Sequence, residues 1–94
     1  MEHLVDSNFD EKIKSGKVLI QFTATWCGPC KALTPLVESL EITKFKVDAD
    51  DAPDLLRKFG IRSVPTLILF KDGQEVSRKV GLLKKEALEA FINS

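Results

Sequence analysis

The sequence is poor in cysteine and histidine, has no excess of either charge and contains no long apolar run, and each scarcity excludes something. Fourteen basic residues balance fourteen acidic ones, with no basic block, stripe or tail. Neither nucleic acid nor an anionic membrane is therefore expected as a partner. The longest apolar run, Leu67–Phe70, is far too short to cross a bilayer. The N-terminus reads Met1-Glu2-His3-Leu4-Val5-Asp6, with no basic segment leading into an apolar one, so a cytoplasmic location is expected. Repeats, low-complexity tracts and Pro/Gly/Ser-rich linkers are all missing.

What is present is an ordinary soluble domain. The 94 residues, 44% apolar and 30% charged, form one domain spanning 1–94. A chain of this size buries roughly two-thirds of its unfolded surface, enough for one core without a metal or a disulfide framework. The elements alternate in kind. Met1–Leu4 reads as a short edge strand. Ser7 is placed to cap a helix that runs to about Ser15 and is closed by Gly16, with Phe9 and Ile13 on one face. Val18–Phe22 is nearly all apolar, as in a strand buried on both faces.

A helix begins between Cys27 and Pro29 and ends near Leu40. It carries Leu33, Leu36, Val37 and Leu40 at helical spacing, and Pro35 inside it. Thr43–Asp48 alternates, with Phe45 and Val47 on one side and Lys44 and Lys46 on the other. The next helix starts at Asp51 or Ala52 and stops at Gly60. Pro65–Phe70 and Gln74–Val80 are strands joined at Asp72-Gly73, a two-residue hairpin turn. A last helix, about Lys84 to Asn93, should bury Leu83, Ala87, Leu88, Phe91 and Ile92. Lys84 is a poor residue to start it, where serine or aspartate would cap better. The order βαβαβαββα predicts a three-layer α/β/α domain. Its central mixed sheet has about five strands, and its helices number four.

The chemistry collects at Thr25-Trp26-Cys27-Gly28-Pro29-Cys30-Lys31, between the end of a buried strand and the start of a helix. The carboxyl ends of strands in open α/β sheets are where catalytic groups gather. A helix N-terminus favours thiolate over thiol. Cys27, at the outer end, is expected to be the exposed nucleophile. Cys30, one turn in, lies within disulfide reach and would resolve a mixed disulfide. Gly28 permits the bend and Pro29 stiffens the ring. Half of a zinc site is the competing reading of Cys-x-x-Cys. It needs about four ligands, and His3 is the only other soft one, so no metal is expected. Two inert buried thiols would leave Gly28-Pro29 unexplained.

Trp26-Cys27-Gly28-Pro29-Cys30-Lys31 resembles the thioredoxin active-site motif. Lys58-Phe59-Gly60-Ile61-Arg62-Ser63-Val64-Pro65-Thr66 is similar to that family's cis-proline segment. Phe70–Gly73 and Val80-Gly81 resemble its hairpin and its substrate-side glycine, and the likeness covers nearly the whole chain. It implies a thioredoxin fold and a protein-disulfide reductase with no bound cofactor. It also implies a cis Pro65 facing the cysteines, and a Val64 backbone free to pair with an extended substrate. Trp26 and Gly81 would border the same surface. The implied partners are a flavin-dependent thioredoxin reductase and disulfide-containing target proteins, met by a monomer. A glutaredoxin-like or isomerase role, and a non-enzymatic thioredoxin-fold interaction subunit, are the alternatives.

Three positions depart from the family pattern. Gln21 stands where thioredoxins usually bury an aspartate that assists deprotonation of the second cysteine, and Lys44 is taken as the lysine that normally pairs with it. Thr23 replaces a usual tryptophan, so the surroundings of the cysteine loop should be less aromatic. Only eight residues separate Pro35 from Lys44, about two turns fewer than is typical. The shortening is expected to uncover Lys44.

Overall fold

A computed structural model describes all 94 residues. The elements in chain order are β1 (Glu2–Leu4), α1 (Phe9–Ile13), β2 (Lys17–Thr23), α2 (Gly28–Glu38) and β3 (Thr43–Asp48). They continue with α3 (Pro53–Phe59), β4 (Thr66–Lys71), β5 (Gln74–Val80) and α4 (Lys85–Ile92). One five-stranded sheet runs β1-β3-β2-β4-β5. The first three positions in that order are parallel, and β4 is antiparallel to both β2 and β5.

β2 and β4 are central, and their apolar runs follow from burial on both faces. Val18, Ile20, Phe22, Ile68 and Phe70 face one layer, with Phe9 and Ile13 of α1 and Leu55 of α3. Leu19, Leu67 and Leu69 face the other, with Leu33 and Val37 of α2 and Leu88, Phe91 and Ile92 of α4. Phe9, Phe59 and Phe70 form a triangle of rings with centroids 5.4 to 5.7 Å apart, a spacing that favours tilted and edge-on contacts. The domain is thus the three-layer sandwich expected from the alternating elements.

The turns behave as their residues dictate. Asp72 and Gly73 both have positive φ, 51° and 85°, as a tight hairpin of type I′ requires. Asp72 also ties the hairpin to the chain entering β2, accepting from the Gly16 N–H at 2.8 Å and donating its own N–H to Gly16 O at 3.0 Å. Gly60 ends α3 in the left-handed conformation, φ 64°, ψ 37°.

Two local expectations are corrected. Ser7 does not cap α1: the helix starts at Phe9 after Asn8, which makes no side-chain cap. The Asn8 side chain instead accepts the Val5 N–H at 2.9 Å, closing the turn out of β1 and using up the oxygen a cap would need. Ala87 is exposed. The buried stripe of α4 is Leu88, Phe91 and Ile92, and Ala87 lies at the rim of a groove beside Ser77 and Ala90.

Candidate active site

β2 delivers the chain to the carboxyl edge of the sheet, and the loop from Ala24 turns it back into α2. Cys27 is the N-cap of α2, in extended conformation, with Pro29 in the first turn. Pro has no N–H, so placing it there removes one of the first-turn donors that would have no partner within the helix. Cys27 and Cys30 are joined as a disulfide with Cα atoms 5.3 Å apart. The Cys30 N–H points at Cys27 Sγ at 3.2 Å, so the sulfur occupies the position that a capping oxygen normally takes. A thiolate there would accept that hydrogen bond and sit at the positive end of the helix.

The second wall comes from the loop before β4. The Val64–Pro65 peptide bond is cis. Val64 O lies 3.6 Å from Cys27 Sγ, and no main-chain hydrogen bond engages Val64. The Gly81 N–H donates to Pro65 O at 2.8 Å, which holds the end of β5 against the same loop. Val64, Pro65 and Gly81 are therefore brought together beside the cysteines. Trp26 is 69% exposed on the rim, its indole N–H held by Asp50 Oδ2 at 3.2 Å. Gly28 and Pro29 are exposed between the cysteines.

One expectation fails at the nucleophile itself. Cys27 is not exposed: it is 5% accessible and Cys30 1%, both packed with Ala24 against Val64 and Ala49.

A second correction concerns the residues beneath the site. Gln21 is fully buried below α2 and its Nε2 donates to Thr34 Oγ1 at 3.1 Å. The Thr34 hydroxyl donates in turn to Cys30 O at 2.9 Å. Lys44 is not the neighbour of Gln21. In the β2–β3 register Lys44 pairs with Leu19, and Lys46 pairs with Gln21. The Lys44 ammonium is half-buried and held by the carbonyls of Leu40 (2.9 Å) and Ile42 (3.4 Å), which close the short connection after α2. Thr34, Lys46 and Asp50 are the residues at the site that reading the sequence missed. Thr34, one turn beyond Cys30 on the same helix, carried a usable signal in its spacing.

A Cys-x-x-Cys disulfide at the head of a helix, on the carboxyl edge of a mixed sheet and flanked by an open backbone segment, defines a thiol–disulfide oxidoreductase. The thioredoxin family model matches residues 1–94. The thioredoxin of Chlamydia caviae is 53% identical over 91 residues, covering 92% of this chain and 89% of that one. The thioredoxin of Staphylococcus haemolyticus is 47% identical over 96 residues, covering 96% and 92%. Among solved structures, a mutant thioredoxin from Halobacterium salinarum NRC-1 superposes with a TM-score of 0.90 at 36% identity, covering 98% of this chain and 87% of that one. The chain belongs to the thioredoxin family, and its activity is that of a protein-disulfide reductase.

Proposed function

We propose that Cys27 is the attacking sulfur and Cys30 the resolving one. The observation that carries this assignment is the Cys30 N–H aimed at Cys27 Sγ at the helix N-terminus, an arrangement that stabilises a thiolate on Cys27 alone. The Cys27 thiolate attacks a target disulfide, forming a mixed disulfide and releasing one target thiolate. Cys30 then loses its proton and attacks Cys27 Sγ, which closes the Cys27–Cys30 disulfide and releases the second target sulfur. Two electrons pass to the target. A flavin-dependent thioredoxin reductase returns them to the pair.

Target chains dock on the surface of Trp26, Val64, Pro65 and Gly81, with an extended segment pairing against the open main chain of Val64. The protein works as a monomer in the cytoplasm. No helix is long and apolar enough to cross a membrane.

Equilibrium redox titration of the cysteine pair, followed by the fluorescence of Trp26, tests the reading. A strongly reducing potential is expected. A markedly oxidising one would instead assign an isomerase or oxidase role, and failure to form the disulfide would leave an interaction subunit.

A further inference from the structure

We propose that a groove on the α2 side of the sheet, behind the cysteine loop, binds a small organic anion with a flat apolar body. The groove has a volume of about 360 Å3, within the range of small-molecule sites, roughly 300–1,000 Å3. Its floor is Thr23 at the end of β2 with Lys46 and Asp48 of β3, and its wall is Lys31, Thr34 and Pro35 of α2. Methyl groups of threonine, the proline ring and lysine stems supply apolar surface, which suits a ring more than a hydrated ion. Thr23 is a small side chain on the floor, and the groove stands open above it.

Charge selects the sign of the occupant. Neither the Lys31 nor the Lys46 ammonium has a carboxylate within 4.0 Å or a hydrogen-bond acceptor. Lys46 is half-buried, and no carboxylate of the protein pairs with its charge. The one carboxylate in the groove, Asp48, is 7% exposed and already accepts the Asp50 N–H at 2.8 Å. His3 flanks Lys46 across the β1–β3 ladder and adds a donor at the rim. An anionic group bridging the two ammoniums would gain charge-assisted hydrogen bonds that nothing in the protein supplies.

The site is separate from the docking surface. Trp26 and Val64 line a different and smaller groove, about 130 Å3, with Leu56 and Ile61 on the α3 side. A ligand behind α2 therefore leaves the target-facing edge free. It would touch Lys31, next in sequence to Cys30, and Thr25, two residues before Cys27.

The test is a titration of the oxidised protein with phenyl phosphate, read from backbone amide shifts by heteronuclear NMR. Saturable shifts are expected at Thr23, Lys31, Thr34 and Lys46, with inorganic phosphate and benzyl alcohol each binding more weakly. Removing one charged donor, in Lys46→Gln or in the exposed Lys31→Gln, should weaken binding about tenfold. Thr23→Trp should fill the groove and abolish binding while the amide spectrum stays dispersed. Shifts that fail to saturate, shifts centred on Trp26 and Val64, or a Thr23→Trp protein that binds like the parent would each overturn the proposal. So would lysine variants with unchanged affinity.

Discussion

Gln21 stands directly across the β2–β3 ladder from Lys46, and Lys46 in turn pairs with His3 of β1. A neutral amide thus lies beneath the active site, with a lysine paired to it on the next strand. The amide is linked to the active-site helix through Thr34 and the Cys30 carbonyl, a chain of hydrogen bonds that contains no ionisable group. Glutamine cannot accept the proton that Cys30 must lose.

Replacing Gln21 with aspartate would place a base at this depth, with Lys46 on the paired strand as its counter-charge. Gln21→Asp should speed resolution of the mixed disulfide by about tenfold, a modest fraction of what a well-placed general base supplies. Rapid-quench single-turnover reduction of a model disulfide measures it. An unchanged rate would show that Cys30 discharges its proton elsewhere.

The same side chain makes a prediction about stability. Gln21 Oε1 is buried with no donor, one of only two such side-chain atoms in the chain. Gln21→Leu removes that orphan, and Thr34 keeps its own acceptor at Cys30 O. A gain of about 1 kcal/mol in unfolding free energy is expected, seen as a higher urea midpoint at constant m-value. A loss would mean that the amide–hydroxyl bond outweighs the unsatisfied oxygen.

Most of the fold, and the heart of the site, could be read from residues alone. The apolar runs of β2 and β4, the alternation of β3, Gly60 and Asp72-Gly73 all carry local physics that tertiary structure did not overrule. Cys27, Cys30 and their place at a helix head are local in the same way. What escaped the sequence depends on pairing. Lys44 and Lys46 share one face of β3, and alternation cannot say which of them meets Gln21; only the register does, and it chooses Lys46. Burial of Cys27 depends on Val64 and Ala49, distant in the chain. The unused cap at Ser7 was lost to a competing turn bond at Asn8.

Helix α1 has only five residues and is too short to hold itself. Phe9 is its anchor: fully buried, its ring touches Phe59 of α3 and Phe70 of β4. Phe9→Ala should cost about 3–5 kcal/mol, by chemical denaturation of the oxidised protein. A loss under about 1 kcal/mol, typical of a surface change, would show that α1 is not docked through this ring.

Glu75 and Arg78 lie three apart on β5, a spacing that would point them to opposite faces of a regular strand. The β4–β5 register breaks between Leu69 and Phe70, which pair with Ser77 and Glu75 and leave Val76 as an extra residue. That bulge restores both side chains to one face. They form a two-pronged contact at 2.7 and 2.9 Å. The hydrogen bond from Arg78 holds the Glu75 carboxyl below its usual range, with the guanidinium charge adding to the effect and partial burial opposing it. A carboxyl whose folded pKa is depressed binds fewer protons folded than unfolded just below its ordinary value of 4.5. Its contribution is therefore whole above that pH and fades as pH falls through the lowered folded value. Because the pair lies at the surface with each side chain about one-third exposed, Glu75→Gln should cost only about 0.5 kcal/mol at pH 7. The difference from the parent should vanish in strong acid. Urea midpoints of both proteins across the acid range give the comparison, and a gap that persisted unchanged to the lowest pH would place the stabilisation in the bulge rather than in the ion pair.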